Sequence, residues 1–309
     1  MNKLKLYSEL ARPFTLLPPA LGVVSGAVSA WGAHQTKAPV TWELLYPILL
    51  GTAMAAVLNA ANNALNQIYD LDIDKVNKPS RPLPSGRMSL AEAWTFTIIT
   101  FVIANFLAFL VTPVGAHECF WIVLFTTFMC WIYSAPPLWT KRRGIWANIT
   151  IAIPRGILLK VAGWSTVKTV MDPEPWYIGT VFGLFLLGAA STKDFADIEG
   201  DRAGGCHTLP IDYGVRKATW IMAPFFVIPF ILIPVGVWAG ILTGNALLLN
   251  LLGSVLIVYG CYTVWLLVRN PEELATTENH PSWTHMYRMM MVAQVGFALA
   301  YVFLSLIHI

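Results

Sequence analysis

Asn66-Gln67-Ile68-Tyr69-Asp70-Leu71-Asp72-Ile73-Asp74 ends an apolar run over residues 43–68. A run of that length crosses the hydrocarbon core of a bilayer as a helix. In a helix, Asn66, Asp70 and Asp74 share one face at i, i+4 and i+8. The pattern returns in Asp194-Phe195-Ala196-Asp197-Ile198-Glu199-Gly200-Asp201, which ends a second apolar run over 175–193. There Asp197 and Asp201 repeat the i, i+4 spacing, with Asp194 one turn earlier. The two stretches predict acidic helix ends that face each other across one mouth of a membrane bundle.

Outward from these stretches, apolar runs of roughly twenty residues recur along the chain. Nine are read, near 14–32, 43–68, 91–112, 118–134, 145–166, 175–193, 217–239, 246–268 and 286–307. The predicted fold is an all-α integral membrane protein: one bundle of nine transmembrane helices, a single membrane domain over 1–309. Composition agrees, because 56% of the 309 residues are hydrophobic and 12% are charged. A soluble domain carries about twice that share of charge, so a soluble enzyme, a disordered chain and a disulfide scaffold are excluded. The net charge of +3 is too small to argue for nucleic acid. Cys119, Cys130 and Cys261 read as small core residues, and Cys206 lies in a polar loop without an assigned role. Met1–Ala11 carries Lys3, Lys5 and Glu9 before a long first span, a pattern unlike a cleavable signal peptide.

The basic residues set the expected orientation. With nine spans, 16 of the 20 Lys and Arg fall on one side, and only Lys37 and Lys168 occupy the opposite loops. By the positive-inside rule the crowded side is cytoplasmic, with the amino terminus inside and the carboxyl terminus outside. Both acidic stretches then lie at the cytoplasmic face.

Seven of the 17 acids fall in these two stretches. Crowded carboxylates repel unless a cation binds them. Few per helix and close to basic loops, they suit Mg²⁺ shared with substrate phosphates better than an all-protein Ca²⁺ cage. Lys75, Lys78 and Arg81 follow the first stretch, and Lys193 and Arg202 flank the second, as an anion site requires. A metal with surrounding cations holds and activates a diphosphate leaving group. A solvated border loop is the plain alternative, but each stretch begins inside a span, where ionisable residues are costly and usually functional. Asp72 and Glu199 lie off the shared faces and read as solvated or supporting groups. Leu83-Pro84 with Gly86, and Leu209-Pro210 with Gly214, follow the two stretches in parallel, which points to a two-halved bundle.

These residues resemble the UbiA superfamily of intramembrane prenyltransferases. Asn66-Gln67-x-x-Asp70-x-x-x-Asp74 resembles its first aspartate-rich motif, and Asp197-x-x-x-Asp201 with Asp194 its second. Lys75 to Gly86, Arg12-Pro13-x-Thr15, and Tyr133-Ser134-Ala135-Pro136-Pro137-Leu138 with Lys141 resemble further segments of that family, in order. The resemblance implies a nine-helix bundle open sideways to lipid and Mg²⁺-dependent transfer of a polyprenyl group from its diphosphate to a lipophilic acceptor. It implies that Asn66, Asp70, Asp74, Asp194, Asp197 and Asp201 hold metal and diphosphate. It adds Arg81, Lys141, Lys193 and Arg202 as diphosphate contacts. Loss of diphosphate leaves an allylic cation, which aromatic faces stabilise by about 0.5–2 kcal/mol each; Tyr133 and Tyr69 are the candidates near the mouth.

Gln67 and the run Asp197-x-Glu199-Gly200-Asp201-Arg202 with Thr208-Leu209-Pro210 look more like the branch of homogentisate prenyltransferases, chlorophyll synthases and archaeal ether-lipid enzymes. The run Arg12 to Pro19 leans toward the chlorophyll synthases. Arg155, in Ile153-Pro154-Arg155-Gly156, falls mid-span, where a cation is costly without a partner. It reads either as an acceptor-recognition residue, or as half of a structural ion pair or a snorkelling side chain. Lys160 is expected to snorkel to the outer face, and Asn148 to bind ligand or cap its helix. The rival function classes are a secondary transporter, and a terpene cyclase or prenyl-diphosphate hydrolase on the same scaffold.

Overall fold

The computed structural model describes residues 3–35, 38–111, 117–277 and 280–303. Lys37 and the end of the ninth predicted run (304–307) lie outside them, as does residue 112 of the third. Among the described residues every regular element is helical.

The chain opens with α1 (Lys3–Ala11), which buries Leu6 and Leu10. A bend of 50° at Pro13–Leu16 leads into α2 (Leu17–Gly32). Prolines near the start of α2 tolerate that bend because the first helical N–H groups have no partner there. α3 (Trp42–Tyr69) and the short α4 (Leu71–Asn77) carry the first acidic stretch. A capping box, with Ser89 and Glu92 each bonding the other's backbone N–H, starts α5 (Leu90–Leu110). α6 (Glu118–Ser134) follows, then a broken span of α7 (Ile145–Ala152), a π-helical turn (Ile153–Leu158) and α8 (Leu159–Trp164). Asp172 caps α9 (Pro173–Ala189), whose end leads into α10 (Ile198–Ala203) and α11 (Leu209–Tyr213). α12 (Val215–Met222), α13 (Ile228–Trp238), α14 (Ala246–Val268), α15 (Glu273–Thr276) and α16 (Pro281–Val302) complete the bundle.

Among the described residues, six helical segments are long and apolar enough to cross a bilayer, and a seventh is gained if the bent segment of α1 and α2 counts as one span. The expected nine therefore exceeds what length and apolarity alone support. α6 is apolar but has only 17 residues. α16 is long enough at 22 residues, but His285, Arg288 and Gln294 dilute its apolar character.

Among the described residues, packing divides into two large apolar clusters and a smaller one of Leu6, Leu10, Ala64, Ile68, Leu83, Met88 and Ala93. One joins α2, α3, α5 and α6 through Val23, Met54, Leu65, Phe101 and Val123. The other joins α9, α13, α14 and α16 through Phe182, Phe230, Leu249 and Phe297. Contacts of α16 with α2, and of α7 and α8 with α9 and α6, close the two halves around a cavity. The outward residues of α5, including Ile98, Val102 and Phe106, are exposed and apolar, as lipid requires.

Two local expectations are corrected. Lys160 does not snorkel: it is 1% exposed, with Nζ 4.1 Å from the Phe182 ring centroid and 3.4 Å from the Gly22 carbonyl. α8 packs between α2 and α9, so its stem has no path to an interface. Cys261 is exposed on α14 rather than core, and Cys206 is buried although it follows a polar stretch.

Candidate active site

Asp70 and Asp197 occupy equivalent hinges. Asp70 (φ −91°, ψ 11°) separates α3 from α4, and Asp197 (φ −105°, ψ 8°) precedes α10. Both lie in a sparsely populated backbone region where many active-site residues sit. The hydrogen-bond ladder runs through the hinges: Asp70 N–H donates to the Asn66 carbonyl, Asp74 N–H to Asp70 and Asp201 N–H to Asp197. The predicted shared faces therefore survive the kinks.

Lys141 joins the two stretches. Its Nζ donates to Asp70 Oδ2 at 2.5 Å and lies 3.9 Å from Asp201 Oδ1. Burial opposes its charge, but Asp70, Tyr133 and Asp201 hold its pKa above the ordinary lysine value. Asn66 Nδ2 donates to Asp70 Oδ2 at 2.6 Å, and Arg81 donates to both Asp74 oxygens at 2.6 and 2.7 Å. Lys78 lies 3.6 Å from Asp197, which ties the first loop to the second stretch, and Lys193 lies 3.5 Å from Asp194. Burial pushes the Asp201 carboxyl up to about 6 against the pull of Lys141 and Lys193, and raises Asp74 despite Arg81.

Asp70 Oδ1 is buried and has no hydrogen-bond partner. An unpaired carboxylate oxygen in a low-dielectric site is costly. It fits a hard divalent cation, which takes oxygen ligands. The carboxylates are at present turned toward Lys and Arg rather than gathered into a cage. Among the described residues, the one group of His and acids with ligand atoms all within 4.8 Å is His34, Asp172 and Glu174. That group lies at the far end of α9 from Asp194, so it is not the aspartate site.

Two continuous cavities lead inward. The polar one is lined by Asn66, Arg81, Tyr133, Lys193 and Asp197. The other has mostly apolar walls that include Met54, Leu58, Val123, Leu158 and Met290. Thr15, Cys130, Arg155, Lys193 and Tyr287 belong to both walls, so a greasy tail and a charged head have adjoining space.

The model of the UbiA prenyltransferase family matches residues 13–304. The chain belongs to the UbiA prenyltransferase family. It is a membrane prenyltransferase. Digeranylgeranylglyceryl phosphate synthase of Methanosphaera stadtmanae is 29% identical over 95% of this chain and 98% of that protein. The chloroplastic chlorophyll synthase of Arabidopsis thaliana is 32% identical over 71% of this chain, which spans only 56% of that protein. A solved structure of a UbiA homolog from Archaeoglobus fulgidus bound to GPP and Mg²⁺ shares the fold, with a TM-score of 0.67 at 19% identity, covering 95% of this chain and 99% of that one.

The remaining predicted residues of this UbiA chain divide by position. Tyr133 lines the polar cavity and a small pocket that also includes Lys141, Asp194 and Asp201. Tyr69 does not line these cavities; it sits edge-on among Trp94, Trp131 and Trp139. Arg202 is exposed on α10 and lines none of them either. Asn148 lines that same small pocket, while its Nδ2 donates to the Leu187 carbonyl and to Ser191 Oγ, both at 2.7 Å; Gly144 rather than Asn148 stands at the N-cap of α7. Asp72 is exposed and pairs with Lys75, and Glu199 is exposed.

Three features escaped the sequence reading. Asn59 and Asn63 donate to Thr15 Oγ1, and Asn63 and Gln67 donate to the Ala11 and Leu10 carbonyls, holding Arg12 at the cavity. The signal was present: Asn59, Asn63, Asn66 and Gln67 recur at helical spacing inside an apolar span. Asn77 was also passed over, although it spans α4 and α10. Glu174 is fully buried at the opposite end, accepting from Thr243 N–H and Tyr301 Oη.

Proposed function

We infer that the protein transfers a polyprenyl group from its diphosphate to a lipophilic acceptor at the mouth formed by Asp70, Asp74, Asp197 and Asp201. The single observation that carries this reading is Lys141, buried between Asp70 of one stretch and Asp201 of the other. A cation placed there gains most when negative charge builds up on a departing diphosphate. Asn66, Asp70, Asp74, Asp194, Asp197 and Asp201 would hold Mg²⁺, directly or through water. When bound, Mg²⁺ neutralises phosphate charge and lowers the barrier to loss of diphosphate. Arg81, released from Asp74, and Lys193 are within the polar cavity to take phosphate oxygens. Arg202 is a weaker candidate because it faces outward.

The apolar cavity excludes water from the tail and from the allylic cation, which favours transfer over hydrolysis. Tyr133 borders the mouth, where an aromatic ring would stabilise the developing cation. Orientation follows the positive-inside rule, with the mouth cytoplasmic, nine spans in one membrane domain, the amino terminus inside and the carboxyl terminus outside. The test is incubation of purified protein with geranylgeranyl diphosphate, Mg²⁺ and a panel of acceptors. Expected is Mg²⁺-dependent release of diphosphate that requires acceptor and yields a prenylated product. Release without acceptor, giving an alcohol or hydrocarbon, would identify a hydrolase or cyclase instead.

A further inference from the structure

The apolar cavity ends on an amide. Of its lining residues on α3, α6, α8 and α16, those farthest from the aspartate mouth are Met54, Val123, Ala162 and Gln294. Met54 precedes Asp70 by sixteen residues on α3, about 24 Å at 1.5 Å per residue, so this layer is remote from the charged site. Three of its four members are apolar, as a hydrocarbon tail requires. Gln294 is the exception, although it is only 2% exposed. Its backbone carbonyl accepts from Ser25 Oγ at 2.7 Å, which pins α16 to α2 at this depth. Its side-chain Oε1 is buried without a hydrogen-bond partner. A buried polar group without a partner is rare in a folded protein and calls for a reason. Either end of a carboxamide bonds to water, and neither bonds to hydrocarbon.

Beyond this layer the bundle is shut by close helix contacts. α2 and α8 touch through Gly26 and Gly163: a Cβ on Gly26 would stand 2.6 Å from the Lys160 carbonyl oxygen, and one on Gly163 2.5 Å from that of Val23. Gly51 of α3 closes the same region, where a Cβ would stand 2.8 Å from Thr166 Cγ2. Rotation of a side chain cannot lengthen the cavity past backbones that already touch. The glycine contacts therefore set the outer limit of depth, and the polarity of Gln294 acts just inside that limit.

We propose that Gln294 is a specificity-determining residue for the prenyl donor: it ends the tail cavity on a polar group and disfavours any chain long enough to reach it. A tail that stops short leaves the amide to water. A tail that reaches the floor covers the amide with hydrocarbon and strips that hydration, which lowers affinity about tenfold to a hundredfold. This inference rests on the prenyl-transfer reading above, and adds to it how the length of the donor is selected. A purely steric floor would act differently, because it would stop a chain whatever the polarity of the side chain at this position.

The test measures kcat/KM for geranyl, farnesyl, geranylgeranyl and geranylfarnesyl diphosphates with one acceptor, in purified wild type, Gln294→Leu, Gln294→Met and Gln294→Ala. Leu and Met keep roughly the volume of Gln and remove its polarity, whereas Ala makes room. Wild type is expected to favour one chain and to discriminate against the next longer one. Gln294→Leu and Gln294→Met are each expected to raise the ratio of the longer donor to the favoured donor about tenfold to a hundredfold. The ratio is taken within each variant, so a lower yield of folded protein does not imitate it. A length profile like that of wild type in both apolar variants overturns the proposal. So does a gain confined to Gln294→Ala, which makes length a matter of room alone, and so does a wild type whose kcat/KM rises with every added unit. Each of those results leaves prenyl transfer standing. Absence of any prenylated product with wild type overturns the prenyl-transfer reading itself.

Discussion

Asn77 grips Asp197: its side-chain Nδ2 donates to the Asp197 carbonyl at 3.1 Å, while its Oδ1 accepts from the Gly200 N–H at 3.0 Å. One amide thus satisfies both sides of the second hinge from the end of α4, and sets the distance between the two acidic stretches. Asn77→Ala is expected to weaken Mg²⁺ binding about tenfold to a hundredfold, as loss of groups that orient metal ligands does. Gly200→Ala should act in the same direction, because its Cβ would meet Asn77 Oδ1 at 2.4 Å. Titration of diphosphate release against Mg²⁺ reads both. An unchanged Mg²⁺ requirement in both would mean that the clamp does not set the metal site.

Asp70→Ala and Asp197→Ala are each expected to lower prenyl transfer by on the order of 10²–10³-fold, the usual cost of losing a group that stabilises developing charge. Both side chains lie at helix hinges rather than in the apolar clusters, so a folded, monodisperse protein is expected. Turnover measured at saturating Mg²⁺ with quantified folded protein checks this. Wild-type rates in either variant would remove the metal assignment.

Lys141→Gln tests the bridge between the stretches. Loss of its charge leaves Asp70 and Asp201 buried and repelling each other. The expected result is a fall in kcat on the order of 10²-fold, with a smaller change in the Mg²⁺ requirement. Single-turnover release of labelled diphosphate isolates the step. A defect confined to the KM of the acceptor would assign Lys141 elsewhere.

Metal and proton compete at Asp201. Its folded pKa of about 6 exceeds the unfolded value of about 3.9. Without metal, the stabilisation from its protonated form is complete below about pH 4 and is lost as pH rises through about 6. Mg²⁺ binds the ionised form, so the rise in Tm on adding Mg²⁺ should be small at pH 5 and larger at pH 7.5. Thermal unfolding in detergent with and without Mg²⁺ measures it. A pH-independent shift would indicate that Asp201 is not a ligand.

Glu174 offers a contrast at the far end of α9. The helix has 17 residues, about 25 Å at 1.5 Å per residue, so the group stands well away from the aspartates. Glu174→Ala strands the Thr243 N–H and the Tyr301 hydroxyl, at a cost of roughly 2–4 kcal/mol for two buried unpaired groups. Lower thermal stability with retained transfer per folded molecule is expected. Lost transfer with unchanged Tm would mark a functional role at that face.

Much of the fold was legible because lipid leaves few alternatives. Runs such as 43–68 and 246–268 must be helical in hydrocarbon, where every backbone group needs an internal partner, and they are α3 and α14. The acidic stretches were legible because charge is scarce here, so its concentration stood out. Lys160 was misread because the rule for snorkelling describes a lone helix at a lipid surface, whereas α8 is enclosed by α2 and α9. Asn148 was half-read: its type suits a cap or a ligand contact, but which carbonyl lies within 2.7 Å depends on α9. Glu174 was unremarkable in sequence because its partners, Thr243 and Tyr301, are remote along the chain.

By itself the sequence determined a helical membrane bundle, two aspartate faces with a shared spacing, and a cation-rich side. These depend on local periodicity and on the solvent that each stretch tolerates. The tertiary structure alone decided that Lys141 meets both Asp70 and Asp201, that Asn77 locks Asp197 and Gly200, and that Arg155 turns into the cavity on a π-helical turn. Each of those joins elements far apart in the chain. Such contacts follow from how helices pack, through close approaches such as Gly156 on Gly183, and no single stretch encodes the packing of its neighbour.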